Sequence, residues 1–135
     1  MLQPQKTKFR KFKKSYLKKY IENTSSNLKH GVIGLKALSK YKITAKQIES
    51  LRQCITRCLR RQAKIWINVF PHISSTAKPL GSRMGKGKGS LNFWFAPIFV
   101  GTIILEIAGV NFFRSKKALE KSVSKLPFKC TFLIR

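Results

Sequence analysis

Apolar and polar positions recur along this chain with two different periods, and the switch between them marks out the elements. Ile48, Leu51, Ile55 and Leu59 follow one another at spacings of three and four, so they share one stripe of a helix predicted over residues 44–62. Thr44 followed by Gln47 is the signature of a capping box at its start. Cys54 and Cys58 lie beside the stripe and are expected as buried core thiols. Lys46, Arg57, Arg60 and Arg61 fall on the far side and predict a basic outer face. Residues 64–70, KIWINVF, alternate instead: a strand with Ile65, Ile67 and Val69 on one face, Trp66 and Phe70 on the other. A shorter strand is expected in GVIGLKAL, residues 31–38. A second helix is predicted over 112–126, with Ala118, Leu119, Val123 and Leu126 inward and Arg114, Lys116, Lys117 and Lys121 largely outward, and Pro127 stops it. The last run, FKCTFLIR, alternates Phe128, Cys130, Phe132 and Ile134 inward as a closing strand.

Residues 91–110 form a nearly apolar stretch of the length a membrane-spanning helix needs. Pro97, Gly101 and Glu106 oppose that reading, because a carboxylate inside hydrocarbon is costly. Gly101 also divides the stretch into two runs rich in aromatic and branched residues, the pattern of a hairpin with its turn at Val100–Thr102. The elements together predict an α+β fold: a largely antiparallel sheet packed with two amphipathic helices, in one domain over residues 1–135. A basic extension (1–20) and a long connection (71–90) stand outside that core.

Charge changes the picture. The chain has 29 Lys and Arg against four acids, all Glu, for a net charge of +25. Solubility is served by about 2–8 net charges, so the excess calls for a polyanion. Nucleic acid fits, since each neutralised phosphate releases condensed counterions; an anionic membrane surface is the rival. The arm adds to this. Eight Lys/Arg and no acid lie within residues 1–20, interleaved with Phe9, Phe12, Tyr16 and Tyr20, which suits phosphates and RNA sugars or bases together.

Catalytic constellations are hard to assemble from this inventory. There is no Asp, His30 and His72 lie in separate loops, and Glu22, Glu49, Glu106 and Glu120 are dispersed. No cofactor and no metal site are expected from three scattered cysteines. The 71–90 connection carries Gly81, Gly85, Gly87 and Gly89 among Lys78, Arg83, Lys86 and Lys88. It matches neither the P-loop nor the dinucleotide fingerprint. Its glycines bare backbone N–H groups that can lie against phosphate, with lysines between them, which suits RNA or tRNA better than a mononucleotide. A membrane anchor built on residues 91–110 and a nucleotide-using enzyme built on the loop remain the two rivals.

At the loop the sequence resembles the sixteenth large-subunit ribosomal protein family of bacteria and organelles. The matching stretches begin at Met1-Leu2-Gln3-Pro4 and Lys6-Thr7-Lys8-Phe9-Arg10-Lys11, and resume at Gly34-Leu35-Lys36-Ala37 and Ile43-Thr44-Ala45-Lys46-Gln47-Ile48-Glu49. They continue through Thr56-Arg57, Arg61-Gln62, Lys64-Ile65-Trp66-Ile67 and Phe70-Pro71 to Lys78-Pro79-Leu80 and Arg83-Met84-Gly85-Lys86-Gly87-Lys88-Gly89. Trp94, Glu106, Gly109 and Lys125-Leu126-Pro127 complete them. Residues 12–30 lack the family's Gly/Arg-rich continuation of the arm, Val100-Gly101 stands where Pro-Gly is usual, and Ala63 replaces a common Gly. With the Lys, Ile and Phe bias, this drift suggests an organelle copy, mitochondrial in preference to plastid. The resemblance implies a non-enzymatic large-subunit protein that binds large-subunit rRNA, neighbours other ribosomal proteins, supports late subunit assembly and helps position tRNA near the A site, the P site and the peptidyl-transferase centre, with no membrane insertion. The residues it points to on rRNA are Lys6, Lys8, Arg10, Lys11, Lys36, Lys46, Arg57, Arg60, Arg61, Lys64, Lys78, Lys86 and Lys88. Arg83, Met84 and Gly85 would stand nearest tRNA.

Overall fold

A computed structural model describes residues 2–13, 21–22 and 26–135; the expected roles of Tyr16 and Tyr20 in the arm lie outside them. Seven strands and two helices follow in the order β1 (Ile33–Ala37), β2 (Tyr41–Thr44), α1 (Ala45–Cys58), β3 (Lys64–Ile67), β4 (Ile73–Ala77), β5 (Ser90–Ile98), β6 (Ile103–Ala108), α2 (Phe112–Val123) and β7 (Cys130–Ile134). The class is α+β and every strand pairing among these elements is antiparallel.

The strands make two sheets, not the one expected. A four-stranded sheet runs β3-β6-β1-β7 and a three-stranded one β2-β5-β4. Residues 91–110 turn at Gly101 as predicted, but they do not form a hairpin. β6 pairs with β1 and β5 with β2, so both halves pair with residues 33–44 instead of with each other. The result is a long two-stranded ribbon bent in the middle. At the bend Gly101 N–H donates to the Ala37 carbonyl at 2.9 Å, and Ala37 N–H donates to the Thr102 carbonyl at 2.9 Å. Gly101 has φ +97°, and a Cβ there would lie 2.7 Å from the carbonyl oxygen of Glu22; both facts demand glycine. Alternation along a strand identifies its buried face but not the strand it pairs with, which is why the sequence suggested the wrong partner.

The bend lets both sheets and both helices close on one hydrophobic cluster. It contains Ile33, Leu35, Ile43, Ile48, Leu51, Ile55, Ile98, Leu105, Ile107 and Leu119. The stripe of α1 is buried as predicted, and the capping box is complete: Gln47 N–H donates to the Thr44 hydroxyl, and Thr44 N–H to the Gln47 carboxamide at 2.9 Å. The helix stops four residues early, at Cys58, because the chain turns into a Schellman closure. Arg60 N–H donates to the Arg57 carbonyl and Arg61 N–H to that of Thr56. Cys58 is exposed and Cys54 half-buried, which corrects the expectation of two buried thiols. Burial and the neighbouring Cys58 raise the Cys54 pKa, and burial pushes Cys130 up to about 12.

Other boundaries shift. The third strand ends at Ile67 rather than 70, and α2 ends at Val123, with Leu126 still buried beyond it. β2 was not foreseen. Within the predicted 71–90 loop, residues 73–77 form β4, paired with β5, so the open loop is 78–89. Ile134 is exposed, not inward, at the end of an edge strand.

Glu106 explains the back of the four-stranded sheet. It is fully buried on β6, opposite Gly34 of β1 and Trp66 of β3. Its carboxylate accepts backbone N–H bonds from Gly31 at 2.6 Å, His30 at 2.7 Å and Lys29 at 3.1 Å, and one from the Asn68 carboxamide at 2.7 Å. Burial alone would raise its pKa. The hydrogen bonds outweigh burial and hold it at about 2, so the group stays ionised. The carboxylate thereby straps residues 29–31 across the sheet, where His30 stacks on Trp66 with ring centroids 5.8 Å apart.

Candidate nucleic-acid interface

Among the described residues, three gatherings of positive side chains hold most of the cations expected to bind RNA. The first is the loop 78–89 between β4 and β5. From Lys78 to Lys88 every residue is exposed, and Leu80 and Met84 are wholly so. Gly85, Lys86 and Gly87 take φ values of +88°, +54° and +74°, a left-handed run that two glycines make feasible. The legs converge at the base: a Cβ on Gly89 would drive into the Ala77 carbonyl and the Lys78 nitrogen. Lys78 Nζ donates to the Gly85 carbonyl and braces the loop from inside. Arg83, Met84 and Gly85 lie midway along the loop and are exposed.

The second place is the arm, which is tied to the loop's returning leg. Lys11 Nζ donates to the Lys88 carbonyl at 3.1 Å, and Lys88 Nζ donates to the Phe12 carbonyl. Phe12 meets Trp94 of β5 edge to face at 6.3 Å. Lys6, Lys8, Arg10 and Lys11 are all exposed. Nothing in the sequence linked arm to loop; only the antiparallel return of β5 beneath residue 12 brings them together.

The third is the end of α1. Arg57 and Arg61, with Arg52, line an open groove of about 670 Å³ against Ile65. Arg52 escaped notice in the sequence; it forks onto Glu49 at 2.6 and 3.0 Å. That pairing lowers the Glu49 pKa and raises that of Arg52. Lys46 does not join this cluster. It lies eleven residues earlier on the helix, roughly 17 Å along the axis, beside Leu2, Gln3 and Trp94. The predicted basic face of α1 is thus two separate patches. Lys64 is exposed with its ammonium 5.1 Å from the Trp66 ring, and Lys36 is half-buried on β1.

The exposed cations of the arrangement can bind polyanion. Among the described residues no group of three His, Cys, Asp or Glu could hold a metal, and no helix is long and apolar enough to cross a membrane. The Gly/Lys loop joins two strands, not a strand and a helix as phosphate-binding nucleotide loops do.

Comparison with known proteins gives a consistent result. The family model for ribosomal protein L16p/L10e matches residues 4–133. The large ribosomal subunit protein uL16 of Buchnera aphidicola subsp. Acyrthosiphon pisum (strain Tuc7) is 45% identical over 133 residues, covering 98% of this chain and 96% of its own. Protein uL16c of Cyanidium caldarium is 47% identical, with 98% and 94% covered. The uL16 protein of Aeromonas salmonicida (strain A449) is 44% identical over 135 residues, with 100% and 98% covered.

Proposed function

We propose that this chain, which belongs to the ribosomal protein L16p/L10e family and is a structural protein of the large ribosomal subunit, grips large-subunit rRNA with its arm and helix end and offers the 78–89 loop to tRNA. The observation that carries this reading is the braced, fully exposed loop with Arg83 and Met84 midway along it and the arm lashed to its base. A lone flexible loop would sample many positions; one tied by Lys11, Phe12 and Lys88 holds its tip at a set place relative to the domain.

In this role the single domain binds phosphates through Lys6, Lys8, Arg10 and Lys11 of the arm, and through Lys36, Lys46, Arg57, Arg60, Arg61 and Lys64 of the body. Lys78, Lys86 and Lys88 hold the loop base, while Arg83, with Met84 and Gly85, faces the tRNA acceptor arm near the A site. A guanidinium there makes planar forked contacts that an ammonium cannot copy. Anchoring the loop on rRNA is also how the chain supports late subunit maturation. The Lys, Ile and Phe bias and the divergent segment 12–30 support an organellar ribosome, mitochondrial in preference to plastid, which fractionation of organelles with an antibody to the chain tests directly.

The deciding experiment uses Arg83→Ala. The variant is expected to enter subunits and survive a high-salt wash on them, yet to slow tRNA accommodation and elongation. Wild-type rates in subunits carrying Arg83→Ala would leave the loop as an rRNA anchor alone.

A further inference from the structure

We propose that the groove between the end of α1 and the exposed face of α2 is a second site for RNA backbone phosphates, separate from the loop and the arm. Arg60 from the α1 closure and Arg114, Lys117 and Lys121 from α2 line this groove of about 370 Å³, over a floor that includes Leu59, Val110 and Ala118. No carboxylate lines it. The one ion pair found among the described residues, Arg52 with Glu49, lies elsewhere on α1.

Two features say the charges are placed there. Arg114, Lys117 and Lys121 repeat at spacings of three and four, so they are neighbours on one helical face, where like charges repel. Arg60 occupies the left-handed position of the Schellman closure, φ +49°, and Arg61 follows at φ +62°. Glycine is the usual residue there because a side chain strains the backbone. The chain instead puts two arginines in sequence, and they diverge: Arg61 lines the groove toward β3, Arg60 the groove toward α2. Among the described residues no ion pair answers Arg60, Arg114, Lys117 or Lys121, although Glu120 shares the helix of the last three. A run of phosphates relieves the repulsion, and its counterions are released.

This inference rests on the rRNA-binding reading but concerns residues outside the site proposed above, apart from Arg60. The full chain is titrated with a labelled transcript of large-subunit rRNA at several salt concentrations. Three forms are compared: wild type, the triple variant Arg114→Gln, Lys117→Gln, Lys121→Gln, and the loop variant Lys86→Ala, Lys88→Ala. The triple variant, relieved of like-charge repulsion, is expected to unfold at or slightly above the wild-type midpoint and to lose about 2–3 from the log–log salt slope, at about 0.7–0.9 per phosphate contact. Lys117→Arg with Lys121→Arg should retain the slope. Cys58, exposed in the same groove, supplies a local readout: saturating RNA should slow its alkylation several-fold in wild type. An unchanged slope in the triple variant, beside a reduced one in the loop variant, overturns the groove site and spares the rRNA reading. Absence of salt-dependent binding by wild type sinks both. Protection of Cys58 by poly-glutamate but not by RNA overturns the proposal in favour of an acidic protein partner.

Discussion

The two sheets of this protein solve opposite problems. In the four-stranded sheet the single acidic group, Glu106, is fully buried and answered by four donors, while β6 runs through the core with Ile103, Ile104, Leu105 and Ile107 all buried. In the three-stranded sheet the bonds that matter reach outward: Lys78 and Lys88 brace a loop in which every residue from Lys78 to Lys88 is exposed. One region spends its polar groups on rigidity. The other keeps the cations of its loop, from Lys78 to Lys88, exposed and outside any ion pair found among the described residues, which suits it to bind a polyanion. A strongly basic chain can therefore fold with a single buried acid, Glu106, used where it orders backbone, and with most of its cations held away from the core.

The comparison predicts where substitutions should hurt. The largest loss is expected at Glu106→Gln, which sets an amide N–H₂ against backbone donors; the cost should be about 3–5 kcal/mol, read by urea unfolding. The same group predicts a pH dependence. Its folded pKa, about 2, lies below the ordinary 4.5, so its stabilisation is complete above the unfolded value and fades as pH falls from about 4.5 toward 2. Wild type should lose stability through that window more steeply than Glu106→Gln; parallel curves would show that the strap is not electrostatic.

Gly89→Ala comes next. Its Cβ must displace the Ala77 carbonyl, and overpacking of this kind costs about 1–3 kcal/mol. Amide exchange should rise in β4 and at Lys88 while β1 and β6 stay protected. Opening that spreads to β6 would mean that the two sheets are not distinct in stability. Thr44→Ala removes half of the capping box and should cost about 1 kcal/mol, seen as a lower thermal midpoint.

The smallest effect on stability belongs to the loop. Lys86→Ala with Lys88→Ala should change unfolding by no more than about 0.5 kcal/mol and still lower the salt slope of rRNA binding by about 1.5. A stability loss comparable to that of Gly89→Ala would erase the distinction between scaffold and presenting surface.

The sequence by itself determined whatever depends on a residue and its near neighbours. The α1 stripe and its capping box follow from spacing, since positions three and four apart share a helical face whatever surrounds them. The turn at Gly101 and the basic stretch around Arg83 were legible for the same reason. Tertiary structure alone decided which strands pair, because alternation is identical for every possible partner. It alone made residues 91–110 the hinge between two sheets, turned 73–77 from loop into β4, and lashed Phe12 to Lys88 across a separation of 76 residues. It also sorted cations that look alike in sequence. Lys46 parted from Arg57, and Arg60 joined Arg114 and Lys117, because helix packing and one left-handed turn fix where a side chain ends up, and both depend on parts of the chain far away in sequence.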